Sequence, residues 1–170
     1  MASEDELTEA RRQKAEALRE HAITPFPNDF RADEVTERKR KELLALAADE
    51  VRRAALPTED ELTEDADVYP LYGRVIARRG PFIVLRTPYG DAQGLVRKEL
   101  LGAADAATLD NVDLADHVYL EGPAIRTKTG ALALRAAKFR HLGKALLPPP
   151  AKWHGLTDVE KRYRERYVDL

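Results

Sequence analysis

Apolar residues along this chain recur with two different periods, and the change falls near residue 67. Before it, the spacing is helical. Leu7, Ala10, Ala17 and Leu18 lie near a three-to-four residue repeat with no Gly or Pro between them, which predicts a helix over residues 4–21. Pro25 and Pro27 stop it, because proline cannot continue the backbone hydrogen-bond ladder. Leu43, Leu46, Ala47, Val51 and Ala54 form a second stripe and predict a helix over about 33–55, with Arg38, Lys39, Arg40 and Lys41 on its first half. The acidic run 59–67 reads as a linker.

After residue 67 the pattern becomes strand-like. Residues 69–79 predict a long strand with a proline near its start, Gly80 and Pro81 a turn, 82–86 a second strand and 92–96 a third. A helical stretch over 98–109 follows. Strands over 117–125 and 131–141 then flank the turn Thr127-Lys128-Thr129-Gly130. Three strands, a helix and a hairpin is the order of an OB-fold, a five-stranded Greek-key barrel. A generic small barrel or a split sheet has the same signals. The expected architecture is mainly β with a helical extension: 1–66 as two N-terminal helices, 67–146 as the barrel, and 147–170 as a linker.

Composition narrows the chemistry. The 170 residues include no cysteine, which excludes disulfides and thiolate metal sites, and His21, His117, His141 and His154 show no metal-ligand spacing. No apolar run is long enough for a membrane helix, and the charged N-terminus does not look like a secretory signal; the expectation is a cytoplasmic protein. The net charge of −2 conceals a division: residues 1–67 carry 11 basic and 19 acidic side chains, the remainder 17 and 11. The basic part suits an anionic partner, although solvated surface charge has the same signature.

No nucleophile motif, acid–base dyad or phosphate-cradling glycine loop is present, so catalysis by this chain alone is not expected. Binding is better supported. OB-fold surfaces stack bases on aromatic rings and follow phosphates with cations. In the strand from Phe82, Ile83 and Leu85 share the core-facing side, which leaves Phe82 on the open face beside Arg79; a core role for Phe82 fits the same pattern. Gln93 interrupts an apolar strand with an amide that both donates and accepts, suited to a base edge or simply to solvent. Arg74, Arg78, Arg79, Arg97, Lys98, Arg126 and Lys128 supply a candidate phosphate-binding rim. Near the end, Thr157 and Glu160 fit a capping box, opening a helix on which Tyr163 and Tyr167 share a face.

The stretch Lys152–Leu170, KWHGLTDVEKRYRERYVDL, closely resembles the segment that enters the catalytic domain in bacterial-type class II lysyl-tRNA synthetases. Residues 143–146, Arg12–Phe30 with its PFPNDF, Gly73–Arg79 and Arg126–Leu132 resemble the same family in the same order. The aspartyl and asparaginyl branches share the OB-fold, but the tail and the RTKTG hairpin are more similar to the lysyl branch. The resemblance implies a module that binds the anticodon stem-loop of tRNA-Lys. Phe82 would stack on the central anticodon uridine, Arg79 with neighbouring Arg78 would flank it, and Gln93 would read it. It also implies a catalytic domain in cis, with ATP, Mg²⁺ and lysine sites there rather than here, and a homodimer. Two departures stand out. Only Gly80 and Pro81 separate Arg79 from Phe82 where the family has a longer hairpin. Ala131 stands where the family carries a glutamate that helps read an anticodon base. The alternatives are a stand-alone OB-fold binder of single-stranded nucleic acid, and a non-catalytic interaction or dimerisation module.

Overall fold

A computed structural model describes residues 4–148 and 159–164. Helix α1 spans Glu4–Glu20 and α2 spans Glu34–Ala48. The second helical stripe does not run on to residue 55. Asp49 closes α2 through its own backbone N–H to Ala45, and its side chain then accepts from the Arg52 N–H to start α3, Glu50–Ala54. A side chain that caps the next turn competes with continued helix, so one aspartate makes a corner in an otherwise helical pattern.

Among the described residues six strands follow: β1 Val68–Arg79, β2 Phe82–Thr87, β3 Gly90–Leu95, β4 His117–Arg126, β5 Leu132–Arg135 and β6 Lys138–Gly143. Antiparallel pairing joins β1 to β2, β2 to β3, β1 to β4 and β4 to β5, and a short parallel pairing of β3 with β5 closes the ring. This closed five-stranded barrel, with β6 added on β4, has the OB-fold architecture. The expected single strand over 131–141 is broken. At the break, Ala136 donates to Leu95 and Ala137 donates to Glu121, so β5 bridges β3 and residues 124–126 of β4 before the bend, and β6 pairs with residues 117–121 of β4 after it. The bend lets β5 reach β3 to close the ring while β6 stays paired along β4. It needs Gly122: a Cβ there would stand 1.9 Å from the Arg135 carbonyl oxygen.

Between β3 and β4, residues 98–100 form a 3₁₀ turn and α4 spans Ala103–Asp110, a divided form of the expected helix over 98–109. Leu71, Val75, Ile83, Leu85, Val118, Leu120, Leu134 and Phe139 fill the barrel, with Leu43 and Leu46 of α2 and Leu109 of α4 packed against the same core. Each fully buried Leu or Phe there contributes roughly 1.5–3 kcal/mol, which is what closing the sheet gains. Helix α1 buries Ala15 and Leu18, and Arg11 donates to the Leu114 and Ala145 carbonyls. Among the described residues no helix is long and apolar enough to cross a membrane. Helix α5 spans Val159–Arg164, with Tyr163 exposed. Thr157 and Tyr167 lie outside the described residues.

Candidate nucleic-acid interface

Strand alternation sends Ile83 and Leu85 into the barrel and leaves Phe82 and Val84 on its outer face, where they pair with Leu95 and Gln93 of β3. The Thr127–Gly130 turn rises beside them. Gly130 supplies the left-handed φ of +82° that the turn needs, and its N–H donates to the Thr127 carbonyl. The Thr127 hydroxyl accepts from the Ala131 N–H. These bonds hold the turn as a wall, with Lys128 exposed on it. Floor and wall enclose a cleft of about 550 Å³ that includes Phe82, Gln93, Leu95, Ile125, Arg126 and Lys128.

Phe82 combines the two roles its pattern allows. It packs on the small apolar cluster of Leu95, Ile125 and Ala133, yet stays only partly buried and lines the cleft. A ring supported from below and open above has little conformational entropy to lose on stacking. Gln93 is also half-buried. Its amide nitrogen donates to the Leu132 carbonyl at 2.9 Å, leaving one donor hydrogen and the amide oxygen to recognise a ligand. Past Gln93 the cleft continues into a second lobe of about 520 Å³ between Arg53 and Ala131. Asp91 lies in that lobe but is held by a two-point ion pair with Arg86, at 3.0 Å for each contact.

The cations divide into three groups. Among the described residues no carboxylate pairs with Arg79 or Lys128. Arg79 is exposed and sits opposite Phe82 in the β1–β2 register, next to Gly80, whose φ of +56° makes the tight turn. Arg78 points elsewhere, donating to the Leu109 and Val112 carbonyls at the end of α4, where a positive charge meets the negative end of the helix dipole. Arg74 is exposed between Arg86 of β2 and His117 of β4 and lines neither lobe. Arg97 lines the cleft but is engaged by Glu59. Lys98 is paired with Asp110 away from it.

The pattern of the sequence did not reveal the other rim. Thr58, with Glu59 and Asp60 from the stretch read as linker, forms part of the cleft beside Phe82. The Arg126 N–H donates to the Pro57 carbonyl, and the Thr58 N–H and hydroxyl both donate to Glu61 at 2.9 Å. The Thr-x-x-Glu spacing of a capping box was the visible sign that this stretch is structured.

No family model matches the chain. Curated relatives do. A lysine–tRNA ligase of Anaeromyxobacter sp. (strain K) is 41% identical over 172 residues, covering 99% of this chain and 31% of the relative. Those of Ectopseudomonas mendocina and Pseudomonas aeruginosa (strain LESB58) are 36% and 38% identical over 167 residues, with 98% of this chain and 31% of each relative covered. The chain thus spans less than a third of the length of the relatives it matches, and the matched part is their N-terminal region.

Proposed function

We propose that this chain, similar over nearly its whole length to the N-terminal region of lysine–tRNA ligases, is the module that binds the anticodon stem-loop of tRNA-Lys. The observation that carries the reading is the convergence of Phe82, Gln93 and Lys128 in one cleft on the outer face of the barrel. Phe82 stacks an anticodon base, for which a nucleobase has the right flat apolar face. Gln93, fixed at its nitrogen by Leu132, offers a donor and an acceptor to the edge of that base. Arg79 and Lys128 hold the flanking phosphates. Arg78 and Arg74 contribute to the field around the cleft rather than to contacts within it.

Stacking is worth roughly 1–3 kcal/mol per base, so Phe82→Ala should weaken binding of tRNA-Lys by about 5- to 150-fold. Part of the ring packs on Leu95, Ile125 and Ala133, so the variant should also melt somewhat earlier while staying folded. Filter binding and a thermal melt check the two halves of that statement. Unchanged affinity removes Phe82 from the site. In the longer enzyme, ATP-dependent joining of lysine to tRNA belongs to a catalytic domain in cis that carries the ATP, Mg²⁺ and lysine sites, and the assembly is a homodimer.

A further inference from the structure

The rim segment 57–62 has a feature that neither stacking nor base reading uses. Glu59 gives one carboxylate oxygen to Arg97 Nε and the other to Arg97 Nη2, both at 2.8 Å. Arg135 of β5 reaches the same carboxylate only at 3.8 Å, and its Nε is buried without a hydrogen-bond partner. One carboxylate therefore sits between two guanidiniums and satisfies one of them. A planar carboxylate committed as a fork to Arg97 has no well-placed oxygen left for Arg135. A tetrahedral phosphate spreads its acceptors out of a single plane, and arginine pairs are well suited to it. Leaving a buried N–H without an acceptor is costly, so the arrangement favours a group that can serve both.

We infer that Arg97 and Arg135 form a binding site for a backbone phosphate of the single-stranded RNA lying in the cleft, and that Glu59 fills this site as an internal stand-in until RNA arrives. The inference rests on the anticodon-binding reading. Binding exchanges one anion for another: the Glu59 carboxylate goes to solvent and a phosphate takes both guanidiniums. Strands that bring phosphates but no base for Phe82 gain little from that exchange, since Arg97 is already neutralised. Glu59 thereby lowers affinity for RNA in general and makes binding depend more on the stacked base. Asp60, exposed on the same turn, adds to the repulsion of phosphates that are not held.

The test uses fluorescence anisotropy on the full chain with two probes: a labelled uridine hexanucleotide, and the same strand with uncharged methylphosphonate linkages. Glu59→Gln should bind the natural strand about three- to tenfold tighter, with a salt slope steeper by about 0.7 for each cation released to phosphate. The gain should shrink in an Arg97→Gln background, vanish when Arg97→Gln and Arg135→Gln are both present, and be absent with the uncharged strand. Glu59→Asp keeps the charge but is too short for the fork, and should shift affinity in the same direction by less; it decides the matter if the Gln variant melts early. Unchanged or weaker binding by folded variants, or a gain that persists without both arginines or without backbone charge, overturns the phosphate site. Phe82→Ala is measured alongside. If it binds RNA as tightly as the parent, the anticodon reading fails; if it weakens binding while the Glu59 variants change nothing, only the phosphate site fails.

Discussion

Phe82 owes its place to a register set elsewhere. Ile83 and Leu85 must face the barrel interior, and a strand has only two sides, so residue 82 is delivered to the outer face next to Leu95 and Gln93. That much was legible from alternation alone. What the alternation could not supply was the partial burial, which comes from Leu95, Ile125 and Ala133 on three other segments. Gln93 is similar: its type and face could be read, but the bond that fixes its nitrogen reaches 39 residues along the chain to Leu132. Glu59 and Asp60 were not legible as site residues, because acidic side chains in a turn carry no sign of which surface the turn will cover. Lys128 tests the electrostatic part at this scale. Lys128→Ala should reduce the salt slope of RNA binding by about 0.7 if it contacts one phosphate, and the loss should be similar for different base sequences. An unchanged slope, measured from 50 to 200 mM salt, assigns Lys128 to solvent.

Elements were read well where one period dominated and poorly where a single residue broke it. Helix α1 and strands β1, β2 and β4 lie close to their expected spans. The helical stripe through Val51 and Ala54 continued past Asp49, so periodicity gave no warning of the corner that Asp49 makes by capping α3. Asp49→Ala removes the bond to the Arg52 N–H and should destabilise the chain by about 1 kcal/mol, read as a shifted denaturant midpoint with an unchanged slope. No shift would mean that packing alone holds the corner. The break between β5 and β6 was equally hidden. It follows from barrel closure, a demand of the whole sheet that no local pattern in 131–141 expresses.

At the scale of the molecule, the N-terminal helix and the chain leaving the barrel are held by one buried polar network. Lys144, with its side chain fully buried, donates to Asp113 at 2.6 Å, Asp116 at 2.8 Å and the Asn111 carbonyl at 2.8 Å, while Lys14 of α1 reaches Asp113 from the other side. His141 Nε2 lies 3.5 Å from Asp116. Burial pushes both carboxyls up, but the cations and N–H groups around them outweigh it and hold each below the ordinary carboxylate value. Both carboxyls therefore titrate lower in the folded chain than in the unfolded one. Their contribution is complete above the ordinary range near pH 4 and is lost as pH falls through the depressed values. Tm should fall on acidification below about pH 4. Lys144→Met should cost about 3–5 kcal/mol at neutral pH, because it leaves Asp116 buried without its cation, and should flatten the acid loss. A Tm independent of pH between 2 and 6 would contradict this role.

The measurement that bears most directly on the central claim is competition for the full chain between tRNA-Lys and tRNAs with unrelated anticodons, by filter binding at low and at moderate salt. Preferential binding of tRNA-Lys, persisting at moderate salt and reduced by Phe82→Ala, is the expected result. Equal affinity for all tRNAs at both salt concentrations would contradict anticodon recognition and leave only a general affinity for the RNA backbone.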